Sequence, residues 1–579
     1  MVISNNKAVL ITGCDTGFGF HTAKRLSEKG FQVFAGCLSP LQNEGQNLST
    51  YPNIHCLKMD VSLEQDIESV LNYVKENLED KELWAIINNA GISKGSEIEM
   101  TTIQKMEEVI DVNLLGTIRV TKAFLPLLRK SKGRVINVAS AAGRLTMPGF
   151  VTYSASKQAI IAFSDGLRLE MQKFGVSVIT IEPWMFRTRL SDPTGVSRHI
   201  EKQWTEAEDD IRTAYTAAYA TQIQKSTKGL FAWVMDSNIC KVIDAMEAAV
   251  TSECPPYHYR PGRCTDPDDF GQNQSSSPKS SDSETKIMPS NKHRCSGCDS
   301  GFGHDLAQRL DDLGLQVFAG CLNPEGEGAK NLKKSASAKL QVLPLDVSSE
   351  ESVDKFHKQV VQKIKDNKLW AVVCNAGMND GAEIFWTNTD IIQRVIDVNT
   401  FGVVRVTKAF LPQLCKSKGR VVTVCSAASL YTYAGMVPYC MSKHAAKSFC
   451  DGLRLELYRF GVKVVTIDPW MYKTNITKED FTVKYITKTW EQAPAEIKEF
   501  YPEEYFQRYK KVIIRFLNYA ISDKPQQVID CLEEAVMALS PKYSYNPGTV
   551  YSRLSFWLIR RLPKQLADFI LHEEFATKC

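Results

Sequence analysis

The chain has 579 residues, too many for one ordinary hydrophobic core, so two or more domains are expected. An apolar share of 44% and a charged share of 23% are those of a globular protein. A net charge of +4 without any Lys/Arg run leaves no electrostatic footprint for nucleic acid, and no stretch approaches the roughly 20 apolar residues that span a bilayer.

The first residues, Met1 to Lys7, are polar and lack the apolar core of a signal peptide. Ala8-Val9-Leu10-Ile11 then reads as a buried strand. It runs into Thr12-Gly13-x-x-x-Gly17-x-Gly19 and a helical pattern from Thr22 to Lys29. A glycine-rich turn between strand and helix lets backbone N–H groups approach a pyrophosphate. Further apolar runs follow at 31–35, 84–87, 135–138 and 176–181, separated by helical patterns such as Ser154 to Lys173. Continuous apolar strands crossed over by helices imply a parallel sheet covered on both faces.

Chemistry-bearing residues fall at the carboxyl ends of these strands, where open parallel sheets bind ligands. Asp60-Val61 ends the third strand, with a helix N-cap as the plain alternative for Asp60, and Asn88-Asn89-Ala90-Gly91 ends the fourth. Ser140 closes the fifth, and Asn113 follows Asp111-Val112 on the preceding helix. Tyr153 and Lys157 are four apart, hence on one helix face. A phenol with a pKa of about 10 is a poor base at neutral pH, and a neighbouring ammonium is expected to lower it. Ser140 can hydrogen-bond a substrate oxygen and stabilise its developing charge. The end of the second strand carries Cys37, neither the acid that favours NAD nor the Arg that favours NADP. Asp15 would repel a phosphate, so NAD is expected over NADP.

The whole pattern then repeats. Gly13–Gly19 recurs as Gly297–Gly303, and the correspondence runs on through Asp60/Asp346, Asn113/Asn399, Tyr153/Tyr439 and Trp184/Trp470. This is a duplicated domain, with units at 1–262 and 292–579 and a Ser/Asp/Pro-rich flexible linker at 263–291. The 16 cysteines lie mostly singly in apolar segments, as reduced thiols of a cytosol-facing protein would. Cys295 and Cys298 have CxxC spacing but sit inside the glycine loop, and no metal site is expected.

The glycine loop, the Asn-Asn-Ala-Gly segment and the Asn-Ser-Tyr-Lys set resemble the short-chain dehydrogenase/reductase family. Ile-Thr-Gly-Cys-Asp-Thr-Gly-Phe-Gly, Val-Phe-Ala-Gly-Cys-Leu and Gly-Arg-Val-Ile-Asn-Val are closer to its subgroup of retinol, 17β-hydroxysteroid and 3-hydroxybutyrate dehydrogenases. The resemblance covers nearly all of both units. It implies an α/β fold of two tandem Rossmann-like, doubly wound domains. It also implies an NAD(P)-dependent oxidoreductase interconverting an apolar alcohol, retinol- or hydroxysteroid-like, and its carbonyl, with Tyr as acid/base. A small hydroxy acid such as 3-hydroxybutyrate is the alternative substrate, and a non-catalytic second unit the alternative role.

By the resemblance the catalytic candidates are Asn113, Ser140, Tyr153 and Lys157, with Asn399, Ser426, Tyr439 and Lys443 in the second copy, Asn113 completing a proton relay through water. Cofactor candidates are Thr12, Gly13, Thr16, Gly17, Phe18, Gly19, Cys37, Asp60, Val61, Asn89, Ala90, Gly91 and Thr188. Those of the second copy are Gly297, Gly301, Gly303, Asp346, Asn375, Gly377 and Thr474. Family members pair through helices flanking the sheet, so an internal pseudo-dimer or a homo-oligomer is expected. An epimerase or dehydratase reading is disfavoured, because those proteins show TGxxGxxG.

Several residues depart from the pattern. Both copies have Pro-Trp, at Pro183-Trp184 and Pro469-Trp470, where family members carry Pro-Gly. The Trp either crowds the mouth of the site or packs as a lid. Copy two places His293-Arg294 in its first strand, which should be buried, and replaces Asn88 by Cys374. Weaker cofactor binding is expected there, because buried unpaired polar groups are costly. Only copy two continues into an apolar tail, Ser555 to Leu571, with Arg560, Arg561 and Lys564, suited to a membrane interface or to covering the pocket. The expected location is the cytoplasm or the cytosolic face of an intracellular membrane.

Overall fold

A computed structural model describes residues 4, 6–40, 48–214, 216–262, 292–364 and 368–549. The expected linker, 263–291, and the apolar tail beyond Tyr551 lie outside the described residues. The chain divides into two compact units, Met1–Asn273 and Gln274–Cys579.

In unit one the strands are β1 (Lys7–Thr12), β2 (Gln32–Cys37), β3 (Ile54–Lys58), β4 (Glu82–Asn88), β5 (Arg134–Val138), β6 (Ser177–Ile181) and the two-residue β7 (His258–Tyr259). They form one sheet in the order β3-β2-β1-β4-β5-β6-β7, every pair parallel. The order reverses between β1 and β4, which opens a crevice at their carboxyl ends. Unit two repeats this with β8 (Lys292–Ser296), β9 (Gln316–Cys321), β10 (Leu340–Pro344), β11 (Leu369–Cys374), β12 (Arg420–Val424), β13 (Lys463–Ile467) and β14 (Ser544–Tyr545). Its order is β10-β9-β8-β11-β12-β13-β14. The tandem doubly wound architecture is therefore present in both copies.

The central strands are buried on both faces, as helices on each side require; all six residues of β2 are buried. The first helix, Gly17–Glu28, begins five residues before the expected Thr22, inside the glycine loop. The long helix is Val151–Met171. Two features had no local sequence signal. A π-helical turn, Asp111–Gly116, widens the backbone at Asn113, and Asp397–Phe401 does the same at Asn399. Arg134 is buried and donates to Ala249 O at 2.6 Å and Ser252 O at 2.9 Å, capping the helix Cys240–Thr251. Arg420 does the same for Gln526–Met537, through Ala535 O and Ala538 O. A cation at a helix C-terminus meets the unsatisfied carbonyls there.

The expected fault in unit two is present. β8 forms and pairs on both sides, with His293 in register with Val317 and Ala371, the place Val9 takes against Val33 and Ala85. His293 is wholly buried, and neither ring nitrogen has a hydrogen-bond partner among the described residues. Burial, with Arg420 nearby, drives its pKa down to about 3, so the imidazole is neutral.

Candidate active site

Each sheet ends in a cavity at the crevice, of about 470 Å³ in unit one and about 590 Å³ in unit two. In unit one it is lined by Gly13, Thr16, Gly17, Phe18, Asp60, Val61, Asn89, Ala90, Gly91, Ser140, Tyr153, Lys157 and Thr188. Thirteen expected residues from six segments thus meet in one place.

The glycine loop is built for close approach. Gly13 and Gly17 have φ of +69° and +66°, conformations that cost an L side chain but not glycine. A Cβ on Gly19 would lie 2.4 Å from Gly13 O. Thr12 lies behind the lining and braces the loop, its Oγ1 accepting from the N–H groups of Asn89 and Ala90, both at 3.0 Å. Asn89 returns two bonds, to Thr12 O and Gly13 O. Thr16 makes no side-chain cap on the helix Gly17–Glu28, and that helix has no acidic residue in its first turn. Its leading N–H groups thus face the cavity without an internal anion, which fits a pyrophosphate.

The ribose end differs from expectation. Cys37 is fully buried, its thiol directed at Ala35 O and pushed up to about 12 by burial, and it does not line the cavity. The residues that do are Asp15 and Leu38. Asp15 accepts from Ser39 N at 2.9 Å and Leu38 N at 3.0 Å, so a carboxylate is clamped at the end of β2 by contacts from the glycine loop. Asp299 makes the same pair with Leu322 N and Asn323 N. Asp60 lines the cavity and accepts from Ser62 N at 2.9 Å; the N-cap of the following helix is Leu63.

Tyr153, Ser140 and Lys157 converge as their spacing suggested. Ser140 faces the Tyr153 side chain across the cavity wall and caps the short turn after β5 through Ala142 N. Lys157 is buried and donates to Val138 O at 2.9 Å. The expected lowering of the phenol does not occur in the protein alone: burial pushes Tyr153 up to about 12, with Ser140 pulling the other way. Burial also lowers Lys157, to about 8, and its ammonium is held by a backbone carbonyl. Asn113 stands one layer behind, its Oδ1 accepting from Ile92 N at 2.8 Å and its Nδ2 donating to Ile92 O and Ser156 Oγ.

Trp184 lines the mouth with Phe150, Met147 and Phe231. Its backbone N–H donates to Pro261 O, and a Cβ on Gly262, whose φ is +135°, would fall 2.4 Å from Trp184 Cβ. It is therefore both pocket wall and packed lid.

Unit two reproduces this arrangement with Gly297, Gly301, Asp346, Asn375, Gly377, Ser426, Tyr439, Lys443 and Thr474 on its cavity. Gly303 and Asn399 sit behind, as Gly19 and Asn113 do. Three differences are chemical. Asn88 bonds Thr121 and Asn137, whereas Cys374 reaches only Thr407, at 3.8 Å, and the Thr423 hydroxyl has no partner among the described residues. The bridge Lys94–Glu108 becomes Asp380–Arg394, its polarity reversed. Glu182, which precedes Pro183 and is held by Arg144, Arg260 and His258, becomes Asp468, held by Lys447. No cluster of potential metal ligands occurs among the described residues.

The model of the short chain dehydrogenase family matches residues 7–198 and again 295–484. The rat protein D-beta-hydroxybutyrate dehydrogenase, mitochondrial, is 39% identical over 269 residues, 45% of this chain and 77% of the relative. Human short-chain dehydrogenase/reductase family 9C member 7 is 37% identical over 276 residues, 48% and 87% of the two chains. Mouse estradiol 17-beta-dehydrogenase 2 is 39% identical over 284 residues, 48% and 73%.

Proposed function

The chain belongs to the short-chain dehydrogenase family, and we propose that unit one interconverts an apolar alcohol and its carbonyl with NAD(H), Tyr153 carrying the proton. The observation that carries this reading is the convergence of Ser140, Tyr153 and Lys157 with the glycine loop on one cavity. The nicotinamide supplies hydride exchange when bound. Gly13, Gly17 and Thr188 would hold its phosphates and amide, with Thr12 bracing the loop from behind, and Lys157 would hold its ribose. Tyr153, neutral at pH 7, gives its proton to a carbonyl oxygen in reduction and takes it back in oxidation. Asn113, locked to Ile92, keeps the wall beside Lys157 in place: a Cβ on Gly91 would lie 3.3 Å from Asn113 Oδ1 and 3.5 Å from Lys157 Nζ.

We take NAD over NADP, a preference supported by the Asp15 and Asp299 carboxylates fixed at the ends of the second strands, which would repel an added phosphate. The apolar substrate class rests on Leu145, Met147, Phe150, Trp184 and Phe231 around the first mouth. One observation favours a small hydroxy acid instead: Lys94 and Arg189 also line that mouth, and Asp380 and Asn475 hold those places in unit two. Relatives named for D-beta-hydroxybutyrate and for estradiol bracket the two readings. Unit two is proposed as the weaker site, on account of His293 and Cys374.

The same proposal takes 1–262 and 292–579 as domains facing the cytosol, paired within or between chains. Among the described residues no helix is long and apolar enough to cross a membrane. Solution scattering showing two independent beads from monomeric chains would overturn the pairing. The test of function is NADH formation by the full chain with retinol, hydroxysteroids and 3-hydroxybutyrate, comparing Tyr153→Phe with Tyr439→Phe. Turnover abolished by Tyr153→Phe alone is expected; turnover that survives Tyr153→Phe sinks the assignment.

A further inference from the structure

The active-site loop of unit one is held from two sides. Ile92 is fastened to Asn113 through both its N–H and its C=O. Three residues on, the Gly95 N–H donates to His199 Nε2 at 2.9 Å. His199 lies on the helix Pro193–Glu206, which follows directly on Thr188, Arg189, Leu190 and Ser191, all on the cavity wall. From the next turn of that helix the Gln203 carboxamide also reaches His199 Nε2, at 2.9 Å, with its Oε1 3.4 Å from Thr101 Oγ1. A second tie, Tyr219 to Glu97 at 2.7 Å, has its counterpart in unit two as Tyr505 to Glu383. The histidine tie has none: Tyr485 and Thr489 occupy the places of His199 and Gln203.

We propose that His199 is a positioning residue of unit one: neutral, it fastens the Pro193–Glu206 helix to the active-site loop, and protonated, it lets that helix go. A backbone N–H can only donate, so Nε2 must be an acceptor, and an imidazolium has no lone pair to offer. Gln203 adds a second group that crowds the same nitrogen. The charged groups around the ring also favour the neutral form. Lys94 comes from the loop and is paired with Glu108. Lys105 comes from the helix Ile103–Ile110 and bonds Glu206 at 3.0 Å, while Lys202 stands 3.7 Å from Glu206 on the ring's own helix. Burial first, then Lys105, Lys202 and Lys94, hold the imidazole below its usual range, with Glu206 opposing them.

The direction of the effect follows. The fastened form binds fewer protons than the released form below the ordinary histidine pKa of about 6.5, so the tie weakens as pH falls through that region. In unit two Tyr485, pushed up to about 12 by burial, does not titrate there. One chain would thus carry two related sites of which only the first is acid-sensitive at its cover.

The catalytic meaning of the tie rests on the dehydrogenase reading; the tie itself does not, and amide hydrogen exchange of the full chain tests it without turnover. Exchange of residues 92–101, corrected for intrinsic pH dependence, is compared at pH 8 and pH 5.5 in wild type, His199→Gln and His199→Leu. Residues 378–387 serve as the internal control. Glutamine offers an acceptor that does not titrate. At pH 8 wild type and His199→Gln should be protected alike, with protection about fivefold lower in His199→Leu. At pH 5.5 wild type should fall toward His199→Leu while His199→Gln holds. Equal protection of wild type and His199→Leu at pH 8, or no acid loss in wild type, overturns the proposal. With any substrate that unit one turns over, the acid loss should appear as a rising KM in wild type and not in His199→Gln. A change confined to kcat would remove the positioning role.

Discussion

Replacing His293 by the valine that unit one carries at the matching place, Val9, should stabilise unit two. At neutral pH the wild-type strand β8 buries an imidazole whose donor and acceptor nitrogens both lack partners among the described residues. One unsatisfied buried polar group costs about 1–3 kcal/mol, and valine fills nearly the same volume, so His293→Val should gain about that much. Acid enlarges the difference. The folded-state pKa, about 3, lies far below the ordinary 6.5, so the unfolded chain binds a proton that the folded chain refuses. Stability is intact above pH 6.5 and is lost as pH falls toward 3. At 1.36 kcal/mol per pH unit, wild type at pH 5 gives up about 2 kcal/mol that the variant keeps. Because a two-unit chain does not unfold in one step, the assay must report on unit two alone. Pulse proteolysis in urea, read from peptides of residues 292–549 at pH 7.5 and pH 5, does so. Coincident midpoints at pH 7.5, or equal acid losses in both proteins, would refute the reasoning.

Other substitutions have equally definite outcomes. Asp15→Ala should raise the preference of unit one for NADP over NAD by about tenfold, read as the ratio of kcat/KM for the two cofactors in a Tyr439→Phe background, where only unit one turns over; an unchanged ratio removes Asp15 from cofactor choice. Asn88→Cys, importing unit two's residue, breaks the bonds to Thr121 and Asn137 and should cost unit one about 1–3 kcal/mol in urea midpoint. Glu182→Gln leaves Arg144, Arg260 and His258 facing a neutral amide and should cost about 3 kcal/mol, a loss that shrinks in acid. Arginines and histidine hold that carboxyl well below its usual range, so its contribution is complete above about pH 4.5 and disappears as pH falls. Alcohol oxidation should speed up with rising pH, because burial keeps Tyr153 protonated and oxidation needs the phenolate; a flat profile from pH 7 to 10 would count against Tyr153 as the base.

The features legible in the sequence were those written in short-range spacing. The glycine loop, the Asn-Ala-Gly strand end and the Tyr/Lys pair each occupy a few consecutive residues, and duplication made them hard to miss. What was illegible depended on contacts between distant residues. Cys37 was placed at the ribose because it ends β2. A strand buried on both faces has no alternation to show which way a side chain points, and the thiol turns inward. The carboxylate standing there instead, Asp15, reaches across from a loop 23 residues earlier. Arg134 reads as a charge beginning a strand, and only the packing of a helix 115 residues later makes it a cap. The phenol of Tyr153 was expected to be lowered by its lysine neighbour. Burial raises it instead, and the Lys157 ammonium is directed at Val138 O.

Pro261 and Gly262 lie against Trp184 at the rim of unit one's cavity. Gly262 lies so close that an added methyl group would press on Trp184 Cβ, and Pro261 O accepts from the Trp184 backbone N–H. Unit two has the same clasp between Pro547 and Trp470. Bulk introduced just after residue 262 therefore acts first on Trp184, at the mouth of the cavity. A fluorophore attached there would act as a built-in gauge of occupancy, and a graft inserted there as a throttle on access, with the glycine loop and Tyr153 left untouched.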